Sequence, residues 1–121
     1  MSDTVHAMDI KTLTDEVENI SLIYASRFEI NRTDTWFLLK LQEEVGELAQ
    51  AHLMRTGQAR TKGLTANEID EAFGSEMADV LASTLLLARY HGIDLEAEIE
   101  RKWLVWRDAS PRPEDVLPSE R

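Results

Sequence analysis

From about residue 66 to residue 91 the chain reads as one helix that is apolar on nearly every side. At about 100° per residue, Ile69, Phe73, Met77, Val80, Thr84 and Leu87 fall within roughly 100° of Glu76 on one side. Leu81, Leu85 and Leu86 widen the apolar surface further. Such a helix belongs at the centre of a helical assembly. Yet Glu76 and Asp79 sit on or beside its most apolar face. A buried unpaired carboxylate costs several kcal/mol, so groups placed like this are paired, protonated or bound to a metal.

Helical periodicity governs the rest of the chain, and no stretch alternates cleanly enough to be a strand, so the class is all-α. Three more helices are expected. The first runs from about 9 or 12 to 29, with Leu13, Val17, Ile20, Ile23 and Tyr24 as its stripe. The second runs from about 35 to 55, capped by Thr33 or Asp34. Thr65 and Glu68 have capping-box spacing before the third, and Gly92 supplies its stop. Asp94 caps the fourth, which is expected to end near Arg107 with Leu95, Ile99, Trp103 and Trp106 inward. The expected architecture is a single four-helix bundle-like domain over 1–110 with a loose tail over 111–121.

The second helix carries a matching oddity in "LQEEVGELAQ". With Glu44 at zero, Phe37, Leu41, Val45, Leu48 and His52 form the expected core stripe, and Glu47 and Glu43 lie along its border. A solvated face is the ordinary reading of such acids. Basic partners, however, are few: Lys40 beside the glutamates, and Arg89 about three turns from Asp79. Two i, i+3 pairs, Glu44 with Glu47 and Glu76 with Asp79, can converge on one point between packed helices. An all-oxygen site suits Mg²⁺ or Mn²⁺, and Mg²⁺ is commonly shared with substrate phosphates. Lys102 projects within the inner face of the fourth helix, either snorkelling along the core or reaching an anionic ligand.

"EEVGE" at 43–47 is followed after 28 residues by "EMAD" at 76–79. This resembles the EExxE…ExxD signature of the MazG-like nucleotide pyrophosphohydrolases, and the resemblance spans roughly 33–107. It implies a MazG-type fold and a Mg²⁺-dependent enzyme that cleaves a nucleoside triphosphate between the α and β phosphates. By the same resemblance Glu44, Glu47, Glu76 and Asp79 are the metal ligands. Glu43 is an outer carboxylate that orients or deprotonates the attacking water or helps to hold another metal, and Glu43 and Glu44 are the catalytic candidates. Lys102 matches a lysine that touches phosphate. Lys40 and Trp36 join it as substrate-side candidates, with Trp36 either stacking on a base or packing between helices. The chain departs from the family pattern after Lys102: position 106 is Trp, followed by "RDASPRP". The loop over 55–63 is long enough to reach over the site and carries Arg60 and Lys62.

"KLQEE" also fits the start of the phosphoribosyl-ATP pyrophosphohydrolases, a second enzymatic expectation. A third is a helical interaction module with an acidic docking face. His6, His52 and His91 form no ExxH pair, which disfavours a di-iron bundle. The absence of cysteine excludes disulfides, thiolate metal sites and a thiol nucleophile. The net charge of −10 argues against a nucleic-acid grip. No membrane span or signal peptide is read, so a cytoplasmic protein is expected. A short unit with so apolar a central helix is expected to form a homodimer or homotetramer.

Overall fold

Each helix begins where a polar side chain can accept a hydrogen bond from an otherwise unpaired amide. The computed structural model describes residues 8–115, and among these the regular elements are all helical. Helix α1 (Ile10–Arg27) is capped by Asp9, which accepts from the Thr12 amide at 2.7 Å. Helix α2 (Asp34–Arg55) is capped by Thr33, which accepts from the Trp36 amide at 3.1 Å. Helix α3 (Ala66–Tyr90) opens with the full reciprocal box of Thr65 and Glu68. Helix α4 (Leu95–Lys102) is capped by Asp94. Each cap contributes about 1 kcal/mol.

Helix α3 stops because Gly92 takes the left-handed region, φ 66°, and closes two bonds back onto the helix. The Ile93 amide donates to the Ala88 carbonyl and the Gly92 amide to that of Arg89, a Schellman stop. The end of α1 uses the same geometry with Glu29 at φ 52°, where a glycine would be unstrained.

Helices α2 and α3 pack antiparallel. Phe37 meets Tyr90 at one end, with ring centroids 5.0 Å apart. Arg55 bonds Asp70 at 3.0 Å at the other and lies over the Phe73 ring. Helix α3 is central, as expected: α2 covers one side and α1 packs on another. Leu85, 1% exposed, is the most deeply buried large side chain, with Ala88 buried beside it. The turn between α1 and α2 is pinned by Arg32, which donates to both Glu18 oxygens at 2.8 and 3.0 Å and lies over Phe37. Arg89 pairs with Asp15 of α1 and not with the acids of its own helix.

Several expected core positions face outward. Leu13 and Val17 of α1 are half-buried, whereas Ile20, Ile23 and Tyr24 are exposed. On α2, Val45 and His52 are exposed, and the buried centre is Phe37, Glu44, Ala51 and Met54. The reason is that α2 packs mainly against one neighbour, so its buried strip is narrow. On α3, Met77 and Leu81 are exposed although the helix has a neighbour on two sides. Helix α4 ends at Lys102 and not near Arg107; a 3-10 turn over Leu104–Trp106 follows. Its intended inner face is open, with Ile99, Trp103 and Trp106 exposed. Of the tail over 111–121, a 3-10 turn at Pro113–Asp115 is described; residues 116–121, like His6, lie outside the description. No described helix is long and apolar enough to cross a membrane.

Candidate metal centre

The buried strip of α2 is centred on an acid. Glu44 is 7% exposed and lies on the side that α2 turns to α3. Across from it, α3 presents Glu76, half-buried, while Glu47 and Asp79 flank the pair at the exposed edge. One carboxylate oxygen from each of the four lies within 4.8 Å of the others. The i, i+3 spacing on each of two antiparallel helices produces this convergence.

Two oxygens give the cluster its meaning. Glu44 Oε2 and Glu76 Oε2 are buried and have no hydrogen-bond partner. Buried polar atoms are almost always paired, and an orphaned one needs an explanation, of which a bound ion is one. The only cation against the cluster among the described residues is Lys40, 2.8 Å from Glu43 Oε1 and 3.6 Å from Glu44 Oε1. It leaves both orphaned oxygens unanswered. Burial pushes the Glu44 carboxyl above its ordinary range, and the charges of Glu47 and Asp79 push further, partly opposed by Lys40. Burial likewise raises Glu76, with a hydrogen bond to Glu47 and the charges of Glu47 and Asp79 adding to it. Without a cation the site therefore tends to hold protons. A hard divalent cation satisfies the donor set: all oxygen, both helices, open at the edge formed by Glu47 and Asp79.

The remaining candidates are placed as follows. Glu43 is exposed and held by Lys40, outside the four-carboxylate cluster. Lys40 is thus engaged with Glu43 and Glu44, and its pKa is raised chiefly by the bond to Glu43. Trp36 is half-buried, one turn before Lys40, edge-on to Phe37 at 5.1 Å. Lys102 is exposed at the end of α4 and forms no ion pair among the described residues. The loop after Arg55 starts about 16 Å along α2 from Glu44, so Arg60 and Lys62 belong to the far end of the helix pair. Sequence reasoning did not find the Arg32–Glu18 anchor, although Arg32 was visible as a lone cation in the α1–α2 turn.

Comparison with protein-family models, curated proteins and solved structures gave no match.

Proposed function

We infer that this chain is a Mg²⁺-dependent nucleoside triphosphate pyrophosphohydrolase of the MazG-like kind, converting a (d)NTP to its monophosphate and pyrophosphate. The observation that carries the reading is the four-carboxylate convergence with two orphaned buried oxygens. Glu44, Glu47, Glu76 and Asp79 hold the cation, Mg²⁺ or Mn²⁺. When bound, such a cation neutralises phosphate charge and acidifies water.

The chain's own groups supply the rest. Glu43 stands outside the cluster on the same helix and accepts a proton from the attacking water. Water adds to phosphorus, the α–β phosphoanhydride bond breaks, and pyrophosphate leaves. Lys40 holds Glu43 in place and offsets part of the local negative charge. Trp36 and Lys102 are the substrate-side candidates, for the base and a phosphate respectively. The surface charge disfavours a nucleic-acid substrate. Exposed Ile20, Phe28, Val45, Leu81 and Trp106 support a homodimer or homotetramer. Nucleotide-pool cleaning is the role this activity suits.

The test is a product analysis with Mg²⁺, each common or damaged (d)NTP, and phosphoribosyl-ATP. Monophosphate with pyrophosphate, lost in Glu44→Gln and Asp79→Asn, is expected. Turnover of phosphoribosyl-ATP alone transfers the assignment to that enzyme class. Diphosphate with inorganic phosphate, or no turnover from folded protein, removes it.

A further inference from the structure

Five carboxylates and one ammonium meet at the candidate metal centre: the four clustered acids, Glu43 beside them, and Lys40. Around α2, Lys40 falls about 40° from Glu44, and Glu47 about 60° from it on the same side. Lys40 lies about one turn before Glu44 and Glu47 about one turn after it. The ammonium therefore sits on the edge where the site opens, not behind it.

Lys40 is drawn toward the centre. Its side chain is 35% exposed, whereas that of Lys11, which also faces an acid four residues on, is 83% exposed. Yet its engagement is incomplete. The Lys40 ammonium donates to Glu43 Oε1 at 2.8 Å but stands 3.6 Å from Glu44 Oε1, outside hydrogen-bond reach. It bonds neither of the orphaned oxygens, Glu44 Oε2 and Glu76 Oε2. Glu43 is itself exposed, and exposed ion pairs contribute little. What holds Lys40 is thus one solvent-facing bond and the field of Glu44.

That hold fails when the centre is filled. With a divalent cation among the four acids, Lys40 loses the pull of Glu44, is repelled by the ion, and keeps only its bond to Glu43. A polyphosphate at the open edge then offers several charge-assisted acceptors, a stronger partner than one exposed carboxylate. The flexible four-carbon stem of lysine allows the turn without backbone movement.

We propose that Lys40 is an exchangeable counterion, which balances the carboxylate centre while no metal is bound and turns to the phosphates of the nucleotide once one is. The proposal rests on the metal-dependent hydrolase reading and deepens it. Metal and phosphate are coupled through this one side chain: the metal displaces the ammonium and the phosphate gains it. The coupling is reciprocal, so each ligand binds more tightly in the presence of the other. Before the exchange Lys40 holds Glu43; after it, Glu43 is free to accept the proton of the attacking water.

The exchange requires two binding constants to move in opposite directions in Lys40→Met. Mn²⁺ titrated calorimetrically into the metal-free chain is expected to bind about tenfold more tightly than to wild type, because a unit charge beside a divalent ion has been removed. Pyrophosphate titrated into the chain in excess Mn²⁺ is expected to bind about tenfold more weakly, through loss of a charge-assisted hydrogen bond. A loosened or misfolded site weakens both constants, so opposed signs separate the exchange from a structural role. Lys40→Gln, which keeps a polar end, is expected to show the same two signs. Mn²⁺ binding that is unchanged or weaker in both variants overturns the proposal. So does pyrophosphate binding that equals wild type, or that wild type itself lacks. A wild type that binds no Mn²⁺ removes the metal centre and the exchange together. Opposed shifts in a chain that hydrolyses no triphosphate remove the hydrolase reading and leave Lys40 coupling metal to phosphate.

Discussion

Replacing Glu44 by Gln stabilises the metal-free protein and removes its response to Mg²⁺. Glu44 is buried, one oxygen is orphaned, and its ligand oxygen has three carboxylates within 4.8 Å. At that separation each like-charge pair costs about 3.5 kcal/mol at an effective dielectric of 20. Lys40 offsets one such neighbour. The other two leave about 7 kcal/mol at the same dielectric, whereas holding a proton on an ordinary glutamate at pH 7 costs about 3.7 kcal/mol. Protonation is the cheaper escape, so it caps the penalty in the metal-free state. Allowing for the lost Lys40 contact, about 1 kcal/mol, Glu44→Gln gains about 1–3 kcal/mol. For 121 residues that is a rise in Tm of roughly 4–12 °C. Mg²⁺ at one hundred times its Kd stabilises the wild type by about 2.7 kcal/mol, and the variant forgoes most of this. Calorimetry of both proteins, with chelator and with Mg²⁺, reads both effects. A metal-free variant that melts at or below wild type, or that keeps the wild-type Mg²⁺ shift, refutes the reasoning.

Glu44 and Glu76 have pKa values raised in the folded state. The folded protein then binds more protons than the unfolded one, so metal-free stability falls as pH rises from about 4.5 through those raised values. Saturating Mg²⁺ should flatten that fall, and denaturant midpoints measured across pH 5 to 8 check it; an unchanged slope counts against the cluster as the source. Arg32→Ala, which strips the bidentate anchor on Glu18, should cost about 2 kcal/mol in urea unfolding. Thr65→Ala removes the side-chain cap of α3 and should cost about 1 kcal/mol by the same measurement. Glu29→Gly relieves a left-handed residue at φ 52° and should gain about 0.5–1 kcal/mol; a loss would show that the Glu29 side chain contributes more than its backbone strain costs.

The helices and their caps were legible because capping is local. Thr65 with Glu68, and Asp94, act as read, and Thr33 is the cap of the two offered, Thr33 or Asp34; Asp9, which caps α1, is read from the sequence only as one possible start of that helix. The four carboxylates were legible because i, i+3 spacing survives any rotation of the helix. What the sequence concealed was which apolar residues are covered. Periodicity marks Ile23, Val45, Met77 and Trp106 as faces to be buried, yet not against which neighbour, and in the single chain all four are exposed. The early end of α4 has the same origin, since a segment whose apolar face meets no helix of its own chain lacks the packing that sustains most helices. The engagement of Lys40 needed side-chain geometry, because its position alone fits phosphate contact equally well.

The most direct test of the metal centre is anomalous scattering from crystals of the full chain grown with Mn²⁺. The account predicts a peak between α2 and α3, at about 2.0–2.3 Å from oxygens of both the Glu44–Glu47 and Glu76–Asp79 pairs. Carboxylates closed on one another or on Lys40, with no peak between the helices at saturating Mn²⁺, would contradict it.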